Sequence, residues 1–594
     1  MTLWLLAALL GAADINPRDL GAKADGTTLD TVAIQTAIDR AAADGGGRVV
    51  LDRGWFLSGS LVLKAGVRLS ILPEPTLLGS RNLADYPTRR LISAGDAAGI
   101  TLDGGGTIDG QGESFWQKAQ PYAGPDWKGT AQFEYKALAR PSFLHFTRCT
   151  KLRVNDLRLI GSPSWTLHLQ RCQEVDVERV TIRNPLYGPN ADGIDINSCQ
   201  DVRVSHCDIV TADDGVVLKS TEPGHDHPSR RISVTNCRIW SACNALKIGT
   251  ETHDSFEQVT FADCQLYAAP GSRLLDRAIS GLAIESVDGA DLSRIEARRL
   301  TMDYVRTPIF IRLGHRGGNS ARTQQVEPRV PGHIRDVVIE DIKATHATFA
   351  SSINGLAGHP VERVTLRDLD LSYDGGGGPE LVTDAVPDDA VRASYPEAHM
   401  FGILPAYGLY CRHVDGLTIS DLRATATAPE ARPMLVADDV RGLRAERCAA
   451  VPGPTEYPTV WLLGVRDSQL GPDIAPARVY AEAAPPDGVT LAGGQLDWGP
   501  PGSLVASRLP LVREQAPGRV ELAAGDLKLV PPMARPEGWL EVPAGRLRDQ
   551  GSAAVRVEIS QAGEYEVWVR GYAAGGESDS YYLTIDRGPR YTSD

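Results

Sequence analysis

The sequence predicts a right-handed parallel β-helix, and three observations predict it. A short strand-and-turn unit recurs along the chain, each unit alternates apolar and polar residues with period two, and only one segment reads as a helix. The unit is plainest in Cys149-Thr-Lys-Leu-Arg-Val-Asn-Asp-Leu157, Cys172-Gln-Glu-Val-Asp-Val-Glu-Arg-Val180 and Cys199-Gln-Asp-Val-Arg-Val-Ser-His-Cys207. It continues through Arg231-Ile-Ser-Val-Thr-Asn-Cys237, Val259-Thr-Phe-Ala-Asp-Cys264, Val337-Val-Ile-Glu-Asp-Ile342, Val364-Thr-Leu-Arg-Asp-Leu369 and Leu417-Thr-Ile-Ser-Asp-Leu422. Repeats of this length mark a solenoid. The spacers, turning at Asn, Asp or Gly, are too short for the crossover helix that a TIM barrel places after every strand.

The single helix, residues 30–47 with their glycine stop, has Asp30 as its N-cap candidate and an apolar face of Ile34, Ala37, Ile38 and Ala41. It is expected to cover the open end of the first coil, since a bare strand edge invites aggregation. Cys149, Cys172, Cys199, Cys237, Cys264 and Cys411 begin or end repeat strands, and nine cysteines with no CxxC spacing indicate neither a zinc site nor a disulfide framework. They are expected as small apolar residues stacked inside the coil. The β-helix is expected over residues 15–474, followed by a Pro- and Ala-rich linker or wrapping segment over 475–519. A partial β-sandwich over 520–594 resembles the early strands of a carbohydrate-binding jelly roll, with Trp568, Tyr581 and Tyr582 as a candidate sugar platform.

Residues 1–13, apolar and ending in small residues, read as a secretory signal without a basic start, so the protein is expected to be secreted or periplasmic. A formal net charge of −14 argues against nucleic acid as partner, and no apolar run is long enough to span a membrane. A monomer without cofactor or metal is expected.

Chemistry concentrates in Asn190-Ala-Asp-Gly-Ile-Asp195 and, one repeat later, Thr211-Ala-Asp-Asp-Gly215. Coils stacked about 4.8 Å apart would bring Asp192 beside Asp213 and Asp214. Paired carboxylates at short range are the working parts of glycoside hydrolysis. Adjacent aspartates in a regular strand would face opposite ways, so a bulge or turn is expected at residues 211–215.

Together with Gly161-Ser-Pro-Ser-Trp-Thr-Leu-His168, Asp19-Leu-Gly-Ala-Lys-Ala-Asp-Gly26, Ile108-Asp-Gly-Gln-Gly112 and Trp116, these motifs resemble family 28 of the glycoside hydrolases, the polygalacturonase and rhamnogalacturonan hydrolase group. The resemblance covers residues 15 to 470 and implies a β-helix and an inverting glycosidase. It also implies that Asp213 is the general acid and that Asp192 and Asp214 are the bases. Crowded carboxylates cannot all ionise freely, so one should keep a proton near neutral pH.

The chain departs from the pattern where polygalacturonases carry Gly-His-Gly, having Cys243-Asn244-Ala245, and where they carry Arg-Ile-Lys, having Ala283-Ile284-Glu285. The resemblance therefore implies a lost uronate clamp, with Glu285 repelling a carboxylate, and a pectin-related or other plant or algal glycan as substrate rather than plain polygalacturonate. Lys219 and Lys247, at comparable positions of successive repeats, and Arg277 and Arg312 farther on are replacement cations. Asn190, Asn244, Glu251, His168 and Trp165 complete the expected sugar contacts. Two other readings stand beside this one: a β-helix polysaccharide lyase, which would need a calcium cluster and a basic residue as proton acceptor, and a glycan-binding β-helix without activity.

Overall fold

The computed structural model describes residues 14–499 except 121, 123, 125, 223–226, 317–330, 379–380, 383–385, 387–394, 452–457, 472, 475–477, 483–487 and 493–494, and six short strands beyond them. From Ser142 to Tyr267 strands pair in parallel with the strand three places on, so each turn of the chain gives one strand to each of three sheets; farther on, where Asp291–Asp303 pairs with both Phe256–Ala262 and Gln265–Tyr267, two of the three run together. This is the expected parallel β-helix. One sheet, the front, takes Ser142–Thr147, Leu167–Gln170, Ile194–Asn197, Val216–Ser220, Asn244–Thr252, Ser280–Ser286 and Thr307–Leu313 in successive coils.

Register converts the period-two pattern into a core. Leu144, Leu167, Ile194, Val216, Leu246, Leu282 and Ile309 stack in one inward line, none more than 1% exposed. Each such side chain contributes roughly 1.5–3 kcal/mol by leaving water, and a one-residue slip would turn the whole line outward. The alternate positions form an outward column on the front sheet: His145, His168, Asp195, Val217, Lys247, Ala283 and Phe310. All nine cysteines are buried and unbridged, and the Cys172 and Cys237 amides donate to the sulfurs of Cys199 and Cys264 one coil on, at 3.3 and 3.5 Å.

The helix spans Thr31–Ala43 and buries Ile34, Ala37, Ile38 and Ala41 against Gly47–Leu51 and Val67–Ile71. Gln35 completes the closure, donating to Val62 O at 3.1 Å and accepting from Val62 N at 2.8 Å on the edge of the first coil. Asp30 is at the N-cap but makes no side-chain cap bond; its carboxylate instead accepts from the amides of Lys23 and Ala24, at 2.7 and 2.9 Å. Two amides of a tight preceding loop outcompete the helix end for one carboxylate.

The turns are chemically broader than Asn, Asp and Gly. Single left-handed residues turn the chain at Asp156, Arg179, Asp263 and Arg299, with φ of 51°, 52°, 57° and 52°. Arginine serves there because its guanidinium reaches the aspartate of the previous coil's corner: Arg179 to Asp156 and Arg299 to Asp263, both at 2.6 Å.

The coil also runs past residue 474. Arg478–Glu482 pairs with Val460–Leu463, and Gln495–Gly499 pairs with Arg478–Glu482, both in parallel. Val479 and Ala481 still point into the core. Beyond, Lys528–Val530 pairs antiparallel with Ser552–Ala554 and Tyr582–Leu583 with Tyr591–Thr592. The expected strand at 563–570, Trp568, Tyr581 and residues 1–13 lie outside the described residues. No helix among the described residues is long and apolar enough to cross a membrane.

Candidate active site

Asp213 and Asp214 sit in a turn between the strand Asp208–Thr211 and the front strand Val216–Ser220, so strand alternation does not separate them. The turn is stacked on its neighbours. Gly193 N donates to Asp214 O at 2.9 Å and Gly215 N to Asn244 O at 2.7 Å, which sets Asp192, Asp214 and Asn244 on consecutive coils. A Cβ on Gly193 would meet Gly215 O at 2.3 Å, and one on Gly215 would meet Ala245 O at 2.5 Å, so this close stacking requires glycine at both places. Asp214 N donates to Asp213 Oδ1 at 3.0 Å and Ser241 Oγ to Asp213 O at 2.6 Å, fixing the turn's orientation.

Two lysines are buried among these carboxylates. Lys219 Nζ lies 2.9 Å from Asp192 Oδ2 and 3.0 Å from Asp195 Oδ1, and 4.0 Å from the Trp165 ring centroid. Burial, then the charge of Asp195, push the Asp192 carboxyl well above the usual range, and burial lifts Asp195 to about 7. Burial works against the Lys219 ammonium, but Asp192 and Asp195 outweigh it and hold its pKa well above the ordinary value. Lys247 Nζ stands 3.5 Å from Asp214 Oδ2, 3.7 Å from Glu397 Oε1 and 3.9 Å from Glu285 Oε2. Asn244 Nδ2 donates to Asp214 Oδ1 at 2.9 Å and reaches Glu397 Oε2 at 3.4 Å. Burial raises Glu285 well above its ordinary value and Glu397 to about 7.

Asp213 is different. It is half-buried where Asp192 and Asp214 are 1% and 4% exposed, and it has no ion pair among the described residues. Burial and then the charge of Asp214 raise its pKa. Ligand atoms of Asp213, Asp214 and Cys243 lie within 4.8 Å of one another, the one such group among the described residues that could hold a cation. Burial raises the Cys243 thiol well above its ordinary pKa, which disfavours the thiolate a metal binds.

The other expected contacts divide. His168 stacks on His145, with centroids 4.1 Å apart, lies edge-on to Trp165 at 4.8 Å, and shares a contact with Asn197 Nδ2 at 3.3 Å. Asn190 is exposed, with φ 50°, and accepts from Arg140 at 2.9 Å. Glu251 is half-buried beside the Lys219 cluster, adding to the field that holds the ammonium. Lys219 and Lys247 share a face but not a level, since Lys247 pairs with Val217 and the register shifts between Leu218 and Ser220. Arg277 turns away, its guanidinium on Ser272 O at 3.2 Å and over the Tyr304 ring at 5.0 Å. Arg312 is buried beside Phe401 and donates to Gly355 O at 3.1 Å, a packing role.

Asp195, Arg140, His145 and Glu397 join the site without having been expected there. Asp195 was signalled by its phase, opposite His168 in register. Burial pulls the Arg140 pKa down and the fields of Asp192 and Asp213 pull it back up, which places it near both. Glu397 comes from 153 residues beyond Asn244, and no local pattern announces it.

The family model described as Glycosyl hydrolases family 28 matches residues 56–390, over half of the 594-residue chain. A probable polygalacturonase of Vitis vinifera is 25% identical over 59% of this chain and 73% of its own. A polygalacturonase of Persea americana is 27% identical over 50% of this chain and 61% of its own. The fold matches that of an exopolygalacturonase from Thermotoga maritima with a TM-score of 0.50 and 24% identity, over 61% of this chain and 87% of that one.

Proposed function

The chain belongs to family 28 of the glycosyl hydrolases, and from that premise we propose that it is an inverting glycosidase whose general acid is Asp213. One observation carries the assignment. Lys219 lies against Asp192 and Asp195, and Lys247 against Asp214, so Asp213 is the member of the trio left partly exposed and without an ion pair among the described residues. A carboxyl so placed keeps a proton for the leaving oxygen. As the glycosidic bond breaks, its electron pair stays on that oxygen, which takes the Asp213 proton. Water attacks the anomeric carbon from the opposite face and gives its proton to Asp214 or Asp192. Lys247 and the Asn244 amide contact Asp214, and Lys219 contacts Asp192. Inverting glycosidases ordinarily hold acid and base roughly 6.5–9.5 Å apart; oxygens of Asp213 and Asp214 lie closer, within 4.8 Å, so inversion is carried by the family resemblance and not by their spacing.

The substrate reading is that a neutral sugar, rather than a uronate, sits beside the cleaved bond. Around Lys247 stand three carboxyl groups, two of them with raised pKa, where the family resemblance sets a basic clamp. Protonated carboxyls donate to hydroxyls, and ionised ones repel a carboxylate. The lysines also bear on the lyase alternative: both are ion-paired and held well above their ordinary pKa, so neither serves as a neutral proton acceptor. Residues 1–13, apolar and ending in Gly-Ala-Ala, fit action outside the cell.

Reducing-end release from rhamnogalacturonan, xylogalacturonan, polygalacturonate and alginate tests this. Hydrolysis of a pectic chain containing neutral sugars, several-fold faster than that of polygalacturonate, is expected. The highest kcat/KM on polygalacturonate would overturn the neutral-sugar reading, and product absorbing in the ultraviolet at a new double bond would overturn hydrolysis.

A further inference from the structure

The outward column of the front sheet changes character at Lys247. Before it come His145, His168, Asp195 and Val217; after it, in unbroken register, come Ala283, Phe310, Ser352, Tyr410, Val436 and Trp461. Outward aromatic side chains on a solenoid should meet water, yet Phe310, Tyr410 and Trp461 are at most 1% exposed. They are covered by residues 398–406, whose Ala398, Phe401, Leu404 and Ala406 join them in an apolar cluster outside the coil. The cover reaches the carboxylates. Cys243, whose sulfur lies near Asp213, packs in the same cluster, and Glu397, the residue before Ala398, reaches Asn244, Lys247 and the Cys243 sulfur, the last at 4.0 Å.

We infer that residues 397–406 close the sugar-binding face immediately beyond Asp214, with Glu397 as the end wall, so that the protein removes sugars from chain ends and does not cut within chains. The inference rests on the glycosidase reading above. An internal cut needs room for sugars on both sides of the scissile bond, and the side beyond Lys247 is filled with packed apolar side chains. Glu397 faces the last sugar that fits, and its carboxyl offers that sugar's hydroxyls a hydrogen-bond partner.

The test is product size at early times. The full chain is incubated with rhamnogalacturonan and, separately, polygalacturonate, and products are sized while about 5% of bonds or fewer are cut, with viscosity followed in parallel. Mono- or disaccharides as the first products, with viscosity nearly unchanged, are expected. Intermediate oligomers and an early fall in viscosity would overturn the inference while leaving the hydrolase reading intact. No reducing-end release from either polymer would overturn both. Glu397→Gln should raise KM about tenfold, the loss of about one hydrogen bond, with kcat changed less and the melting midpoint kept. An unchanged KM would remove Glu397 from the wall. Phe401→Ala with Leu404→Ala should lengthen the first products.

Discussion

Two lysines divide the front face, and each is buried among carboxylates, but they are held by different means. Lys219 is fixed by Asp192 and Asp195, both from the preceding coil, so the repeat alone assembles its cluster. Lys247 needs Asp214 from the coil before, Glu285 from the coil after, and Glu397 from a segment that returns to the face far later in the chain. The first cluster belongs to the β-helix as such, beside the sugar contacts. The second exists only in a chain that carries the covering segment, and it stands where the family resemblance sets the uronate clamp. On the proposed glycosidase reading, the repeat places the carboxylate trio, and the returning segment adds Glu397 beside it.

The largest effect that separates the trio is on Asp213, between the two lysines. Asp213→Asn should lower kcat by about 10²- to 10⁴-fold, the usual worth of a general acid, with an unchanged thermal midpoint. A fall of less than tenfold would reassign the acid. The lysines themselves come next. Lys219→Met and Lys247→Met each leave buried carboxylates without their cation and should cost about 3–5 kcal/mol in urea unfolding. They should differ in rescue: Glu397→Gln should recover part of the Lys247→Met loss and none of the Lys219→Met loss. Equal rescue of both would mean that the clusters are one network.

The repeat made the first cluster readable. Asp192, Asp213, Asp214 and Lys219 were all marked by spacing, because parallel register turns a residue's place in the repeat into a place in space. The apolar alternation likewise specified the three sheets and the stacked cysteines. Glu397 and the cover at 398–406 were not readable, since an insertion obeys no period and its docking depends on a surface formed by several coils. Arg277 and Arg312 lie over the Tyr304 and Phe401 rings, contacts that no repeat spacing announces. The coil's extension to Gly499 is hard to read because its strands are as short as Thr490–Leu491 and the sequence around them is rich in proline.

A smaller effect concerns pH. Asp195 and Glu397, both lifted to about 7 by burial, are raised above their unfolded values of about 4. In each case the folded state holds the proton more tightly, so the contribution is fully favourable below about pH 4 and is lost as pH rises to about 7. Glu397→Gln should therefore flatten the decline in urea midpoint between pH 4 and 8 while leaving the Asp195 part in place. A variant whose midpoint falls as steeply as that of the parent protein would show that Glu397 does not titrate in this window.

The smallest effect is at the outer corner. Arg179 and Asp156 are closer than the buried lysine pairs, at 2.6 Å, but both are exposed, and water and salt screen them. Arg179→Ala should leave the unfolding midpoint unchanged within error, whereas a clear loss would mean that the left-handed corners depend on their ion pairs.

The central claim is that Asp213 donates its proton while water, activated by a carboxylate across the sugar, attacks from the other face. Proton NMR of the first product, recorded before mutarotation on whichever polymer the protein cleaves, tests it most directly. An anomeric configuration inverted from that of the bond cleaved is expected. A retained configuration would require a covalent glycosyl intermediate on one of these carboxylates and would contradict it.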